Sequence, residues 1–250
     1  MALQEEWEAQ GNVLFRYRGT LPLIILFSAL AVFSIREYMG WNSMNEMCTE
    51  LYPYLCLAVC GLGLVIRIIT VGYTPVGTSG RNKEKQEAEV LNTSGIYSTV
   101  RHPLYLGNFF MWFGLAMLTR SIWFSICFIL FYWLYYERIM YAEEQFLRRK
   151  FGQKYLDWAD TTPPFIPRLS RWKKANLEFS WRKILKKEKN GFAAMLFIIF
   201  AFQYLGDYIQ NGILVPQRDF WFYAMIFGMV SYLVLKFLKY NTRLLEEEGR

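Results

Sequence analysis

Two stretches of this 250-residue chain carry side chains able to do chemistry. The first is NTSGIYSTVRHPLYLGN, residues 92–108. Pro103 suits the first position of a helix, where its missing N–H costs nothing. The free N–H groups of such a turn, with the positive end of the helix dipole, make an anion-receiving arrangement. Arg101 and His102, the chain's single histidine, stand immediately before it. A helix cap beside a basic boundary anchor is the plainer alternative, and the residues alone leave both open. The second stretch is YYERIMYAEEQFLRRKFG, residues 135–152. On a helical wheel its two neighbouring acids part. Glu143 shares a face with Tyr136, Ile139, Met140 and Leu147. A carboxylate on an apolar face needs a partner: Arg101 or Arg67 from the chain, or the ammonium or ribose of a ligand. Glu144 shares its face with Glu137, Tyr141 and Arg148 and reads as an ordinary solvated acid with an i,i+4 partner. The four cysteines form no CxxC, and no Cys/His spacing suits a metal.

The elements that must position these residues are membrane spans. The chain is 54% hydrophobic and 19% aromatic, which excludes disorder, and its cysteine usage excludes a disulfide-stapled secreted domain. Six windows carry no charge: 19–35, 51–66, 103–119, 121–136, 190–206 and 220–235. Each gives roughly 25 Å of helix, slightly under the about 30 Å of a hydrocarbon core. Flanking Arg, Lys, Trp and Tyr close the gap by snorkelling. Buried helices of a soluble protein would keep a polar face, which Leu21–Ile35 and Phe192–Leu205 lack. The predicted fold is therefore all-α: a polytopic bundle of about six transmembrane helices. The N-terminus, MALQEEWEAQG, is polar and acidic, so the first apolar run reads as a mature span rather than a signal peptide.

Charge fixes the predicted orientation. The formal net charge is +7. Arg16 and Arg18 precede the first span; Arg81, Lys83, Lys85 and Arg101 follow the second; fourteen Lys and Arg lie between Arg138 and Lys189. Both termini and these loops are expected in the cytosol under the positive-inside rule. The positive charge then faces the anionic leaflet, and no motif speaks for nucleic acid. Residues 1–250 read as a single membrane domain with an amphipathic or irregular lead at 1–15. A cytosolic loop at 73–100 is expected to hold a short polar helix near Glu84–Leu91. The fourth span is expected to run on past the membrane to Gly152. Residues 171–189 are expected to lie as a basic segment on anionic lipid, followed by two further spans at 190–238.

At the two chemical stretches the sequence resembles the integral membrane methyltransferases typified by isoprenylcysteine carboxyl methyltransferase, together with phospholipid methyltransferases. The resemblance rests on TSGIY (93–97), RHPLYLGN (101–108), EEQFLRRKFGQKYLDW (143–158) and TPPFIP (162–167), and covers roughly residues 75–169. GTSGRN (77–82) points to a bacterial branch and an inner-membrane location. The resemblance implies S-adenosylmethionine as methyl donor, a cofactor pocket open to the cytosol, and a lipid or prenylated substrate entering from the bilayer. It implies cofactor contacts at Leu91, Asn92, Tyr97, His102, Pro103, Leu104, Tyr105 and Glu143. Arg101 matches the arginine of the RHP motif. The family's substrate-side arginine aligns with Ile139, beside Arg138, so Arg101 and Arg138 are the candidates for holding the nucleophile.

Methyl transfer from a sulfonium is an in-line displacement in which positioning and desolvation matter more than acid–base work. A phosphate or carboxylate oxygen needs no general base, only a cation to hold it. An amine nucleophile would need a route for its proton. With one histidine, the sequence favours an anionic oxygen over a phospholipid amine. The alternative from another class is a non-catalytic membrane protein or lipid transporter; a transporter would place ionisable groups near mid-membrane, which these windows do not.

Overall fold

The computed structural model describes residues 2–41, 46–75, 86–212, 214–247 and 249. Among these the chain is all-helical, with helices α1 (Leu3–Arg16), α2 (Leu21–Tyr38), α3 (Glu46–Gly72), α4 (Pro103–Met117), α5 (Ile122–Phe151), α6 (Gln153–Thr161), α7 (Trp181–Asn211) and α8 (Phe220–Asn241). GTSGRN and the charges Arg81, Lys83 and Lys85 lie outside the described residues. All six charge-free windows form helix bodies. Four described helices are long and apolar enough to cross a membrane: α3 from Glu50, α5, α7 and α8. Of the other two windows, α2 has 18 residues and α4 has 15.

Local chemistry sets the helix ends. Pro103 opens α4 at its first position. Ser121, Ser180 and Asp219 cap α5, α7 and α8 by accepting from the N–H of Phe124, Lys183 and Phe222. Gly152, at φ +54°, ends α5 and returns its N–H to the Arg148 carbonyl. So α5 continues unbroken from its apolar half to Phe151, and it delivers Glu143 and Glu144 beyond that apolar half.

The helices pack around two cores. One gathers Phe33, Cys56, Cys60, Leu115, Ile199 and Phe202 from α2, α3, α4 and α7. The other gathers Phe15, Phe128, Tyr132, Tyr136 and Ile139 from α1 and α5, against Tyr105 and Phe109 of α4. Helices α3 and α4 approach closely because both are glycine at the contact. A Cβ on Gly107 would stand 2.5 Å from Cγ of Arg67 and 2.9 Å from the Gly63 carbonyl. Arg67, brought inward there, forms two bonds to buried Glu188 of α7, at 2.7 and 2.8 Å, and also donates to Asn108. At the opposite end of the bundle, buried Glu37 of α2 accepts from Arg120 and from Gln210 of α7.

Two sequence expectations need correction. Residues 86–91 form no helix. The segment 171–189 is not one interfacial element: it is irregular to Phe179, and from Trp181 it becomes the start of α7. There Lys183 is buried and donates to the Thr74 carbonyl and hydroxyl and to the Pro75 carbonyl, capping the end of α3 rather than facing lipid. Of the two alternatives for the lead, the amphipathic one holds: it is a helix, α1, laid along the extension of α5. Gly11 permits this, since a Cβ there would sit 2.1 Å from the Arg138 carbonyl oxygen.

Candidate active site

The site is built where the start of α4, the extension of α5, helix α6 and the proline turn meet. The turn straps the RHP motif in place. The N–H groups of Arg101 and His102 donate to the carbonyls of Pro163 and Pro164, and the Arg168 N–H donates to the Thr99 carbonyl. Further along, the N–H of Gly95 donates to the Lys173 carbonyl, and the N–H of Lys173 donates to the Ser98 hydroxyl. Proline carbonyls suit this role, because Pro163 and Pro164 have no N–H to satisfy and hold the chain extended. The result modifies the expected anion site. Two N–H groups ahead of α4 are already spent on the strap.

His102 is buried and stands between two carboxylates. Its Nε2 lies 2.8 Å from Oε1 of Glu144, and its Nδ1 lies 3.7 Å from Oε2 of Glu143. Arg101 donates to the second oxygen of Glu144 at 2.8 Å. A carboxylate paired with arginine is ionised and only accepts, so Nε2 carries the proton toward Glu144. That leaves Nδ1 as the nitrogen facing Glu143. Tyr105 donates its hydroxyl to Glu143 at 2.6 Å and stacks beside His102, with ring centroids 5.8 Å apart. Tyr105 is in turn fixed by Tyr132, whose hydroxyl donates to its carbonyl at 2.7 Å, and by the ring of Tyr136 at 4.9 Å. Tyr97 is held through its carbonyl, which accepts from the Trp158 indole at 3.1 Å. Burial, and then the nearby Glu143 charge, push the Tyr97 phenol above its ordinary range. Burial and the Glu144 carboxylate do the same to Tyr155 of α6, with Arg101 opposing. Both phenols therefore stay neutral donors at any working pH.

The structure thus brings together Arg101, His102, Pro103, Tyr105 and Glu143, with Tyr97 close behind. Leu91 is buried and Asn92 half-buried on the loop leading into Tyr97, and Leu104 is half-buried in the first turn of α4. Arg138 does not join this group. Its guanidinium lies 3.6 Å above the Trp7 ring of α1 and pairs with Glu137 at 3.2 Å. Nor does Arg67 or Arg101 pair with Glu143: Arg67 is taken by Glu188 and Arg101 by Glu144. Glu144, read as a solvated acid, is instead the centre of the Arg101–His102 cluster. A wheel drawn on one helix cannot see that α4 and α6 close over a second face. Arg18, between α1 and α2, is a cation that the sequence reading did not single out. It stacks on Phe15 at 3.8 Å, and its charge is felt at Glu143, Tyr105 and Tyr136.

Residues 54–154 match the family described as phospholipid methyltransferase. The resemblance to phospholipid methyltransferases holds over TSGIY, RHPLYLGN and most of EEQFLRRKFGQKYLDW, whereas TPPFIP lies beyond the matched residues. Among curated proteins, the chain is 34% identical over 120 residues to the nickel-cobalt-cadmium resistance protein NccN of Alcaligenes xylosoxydans xylosoxydans, covering 47% of this chain and 54% of that one. It is 32% identical over 123 residues to the protein-S-isoprenylcysteine O-methyltransferase of Tribolium castaneum, covering 47% and 42%. It is 26% identical over 142 residues to the human protein of that name, covering 54% and 50%. The chain spans about half the length of the curated relatives it matches. No solved structure matches. The matched segment ends just beyond Gly152, so α7, α8, α1 and the strap fall outside it.

Proposed function

We propose that this chain is an integral membrane methyltransferase that uses S-adenosylmethionine to methylate an anionic oxygen on a lipid-embedded acceptor. The acceptor is a lipid phosphate or a prenyl-cysteine carboxylate. The observation that carries this reading is the Glu143–Tyr105–His102 group, an anionic, aromatic and part-buried cluster at the end of an apolar bundle, which we read as the wall of a cofactor recess. Such a recess fits the cofactor. A carboxylate held by a phenol receives an ammonium or ribose hydroxyl, and the faces of Tyr105 and Tyr136 favour a sulfonium. Leu91, Asn92, Tyr97, Pro103 and Leu104 supply the remaining wall. When bound, the cofactor supplies an activated methyl group.

The protein's own task is placement. Glu144 locks His102 and Arg101 to each other, and the strap locks both to the start of α4. Glu143 anchors one end of the recess. Arg18, on the α1–α2 side, supplies the cation that holds an anionic acceptor in line, a role Arg138 leaves open by turning to Trp7. An anionic oxygen arrives already deprotonated, so no residue must take its proton. We further propose six spans with both termini cytosolic, the recess open to the cytosol, and a bacterial inner-membrane location with anionic lipid around the basic cytosolic surface. Calorimetry of the detergent-solubilised protein with S-adenosylhomocysteine tests the reading: saturable binding that Glu143→Ala abolishes is expected, and no binding to folded protein refutes it.

A further inference from the structure

The strap over residues 162–174 has two faces. Its inner face holds the RHP motif through the backbone bonds already described. At its entry, Phe165 sets its ring 5.5 Å from Trp133 and 6.0 Å from Phe109. Trp133 is a part-exposed residue of the apolar half of α5, flanked by exposed Leu130 and Leu134, so the strap begins at the exposed apolar perimeter of the bundle. From there its outer face alternates apolar and cationic groups. Ile166 is 77% exposed, Leu169 74% and Trp172 50%. Arg168, Arg171, Lys173 and Lys174 are exposed between and after them. Large exposed apolar groups interleaved with cations are costly in water and match the headgroup layer of an anionic leaflet.

We propose that the outer face of the 162–174 strap docks into anionic headgroups and that docking stiffens the RHP motif beneath it, so that lipid composition sets how well the recess is formed. The coupling runs through backbone bonds: the carbonyls of Pro163 and Pro164 hold the amides of Arg101 and His102, and Lys173 closes the far end on Gly95 and Ser98. Each cation near an anionic surface adds on the order of fivefold to its affinity, and salt screens the effect within about 10 Å. The link to cofactor affinity rests on the methyltransferase reading, whereas the docking itself does not.

The test uses the full-length protein in nanodiscs of phosphatidylcholine alone or mixed with phosphatidylglycerol. Hydrogen exchange is followed at residues 95–102 and 162–174, and S-adenosylhomocysteine affinity is measured alongside. Phosphatidylglycerol is expected to slow exchange at both segments about tenfold and to tighten binding severalfold, with both effects erased by high salt. Replacing Arg168, Arg171, Lys173 and Lys174 together by Gln should remove the lipid response. Leu169→Ser with Trp172→Ser, a separate variant, should weaken it while keeping its salt dependence. Exchange indifferent to phosphatidylglycerol, or a quadruple variant that responds as the wild type does, overturns the proposal. Loss of S-adenosylhomocysteine binding in every lipid, with the exchange response intact, would overturn the methyltransferase reading and leave the docking surface standing.

Discussion

Glu144→Gln tests how the recess is held. Glu144 makes two contacts of 2.8 Å, to Arg101 and to His102, with side-chain exposures of 22% for Glu144, 17% for Arg101 and 6% for His102. Glutamine keeps the size and one acceptor, but it turns an NH2 donor toward one of two donors. One charge-assisted bond is therefore lost and replaced by a clash of donors. Such bonds are worth about 1.5–3 kcal/mol, and partial exposure lowers that here to about 1–2 kcal/mol. If His102 is thereby freed to rotate, S-adenosylhomocysteine affinity should fall by about 5- to 30-fold, at tenfold per 1.4 kcal/mol. Calorimetry measures the affinity, and thermal unfolding checks that the protein stays folded. A double-mutant cycle with Arg101→Gln should show coupling of about 1 kcal/mol, because the two residues share one bond network. Wild-type affinity in Glu144→Gln, with binding lost in Glu143→Gln, would refute the scaffold role and return Glu144 to the status of a solvated acid.

Three further outcomes are expected. Gly107→Val should destabilise the bundle by about 1–3 kcal/mol or more, read as a lowered melting temperature in detergent, since its Cβ would meet Arg67 and the Gly63 carbonyl at 2.5 and 2.9 Å. Arg18→Gln should lower turnover of an anionic acceptor at least tenfold through KM while S-adenosylhomocysteine affinity holds within about twofold, and Arg18→Lys should fall between, as expected when charge is kept and the planar fork is lost. A topology reporter after Arg250 should read cytosolic and one within residues 42–48 external, and the reverse pattern would overturn the charge argument for orientation.

Much of the scaffold is legible along the sequence because lipid is a one-dimensional filter. A charge-free run must be helical to satisfy its backbone, and all six such runs are. The stop at Gly152 and the start at Pro103 are likewise local events. What sequence hides is whatever depends on a second element. Glu144 looks solvated on its own helix and becomes central only when Arg101 and His102 arrive from the turn ahead of α4. Lys183 looks like a membrane anchor until the end of α3 presents three acceptors to it. The docking of α1 turns on a single small residue, Gly11, whose importance appears only against the Arg138 carbonyl. Residues 86–91 carry helix-forming side chains, but so short a stretch seldom holds a helix unaided, and they stay irregular.

The central claim is methyl transfer to an anionic oxygen, and one measurement addresses it directly. The purified protein is supplied with S-adenosylmethionine carrying a labelled methyl group and, in parallel, with N-acetyl-S-farnesylcysteine, phosphatidic acid or phosphatidylethanolamine in vesicles. Tandem mass spectrometry then locates the label. The account predicts label on the carboxylate or phosphate oxygen of one of the first two acceptors and none on the amine, with transfer lost in Glu143→Ala. Label on the ethanolamine nitrogen, or no transfer to any acceptor by protein that binds S-adenosylhomocysteine, would contradict it.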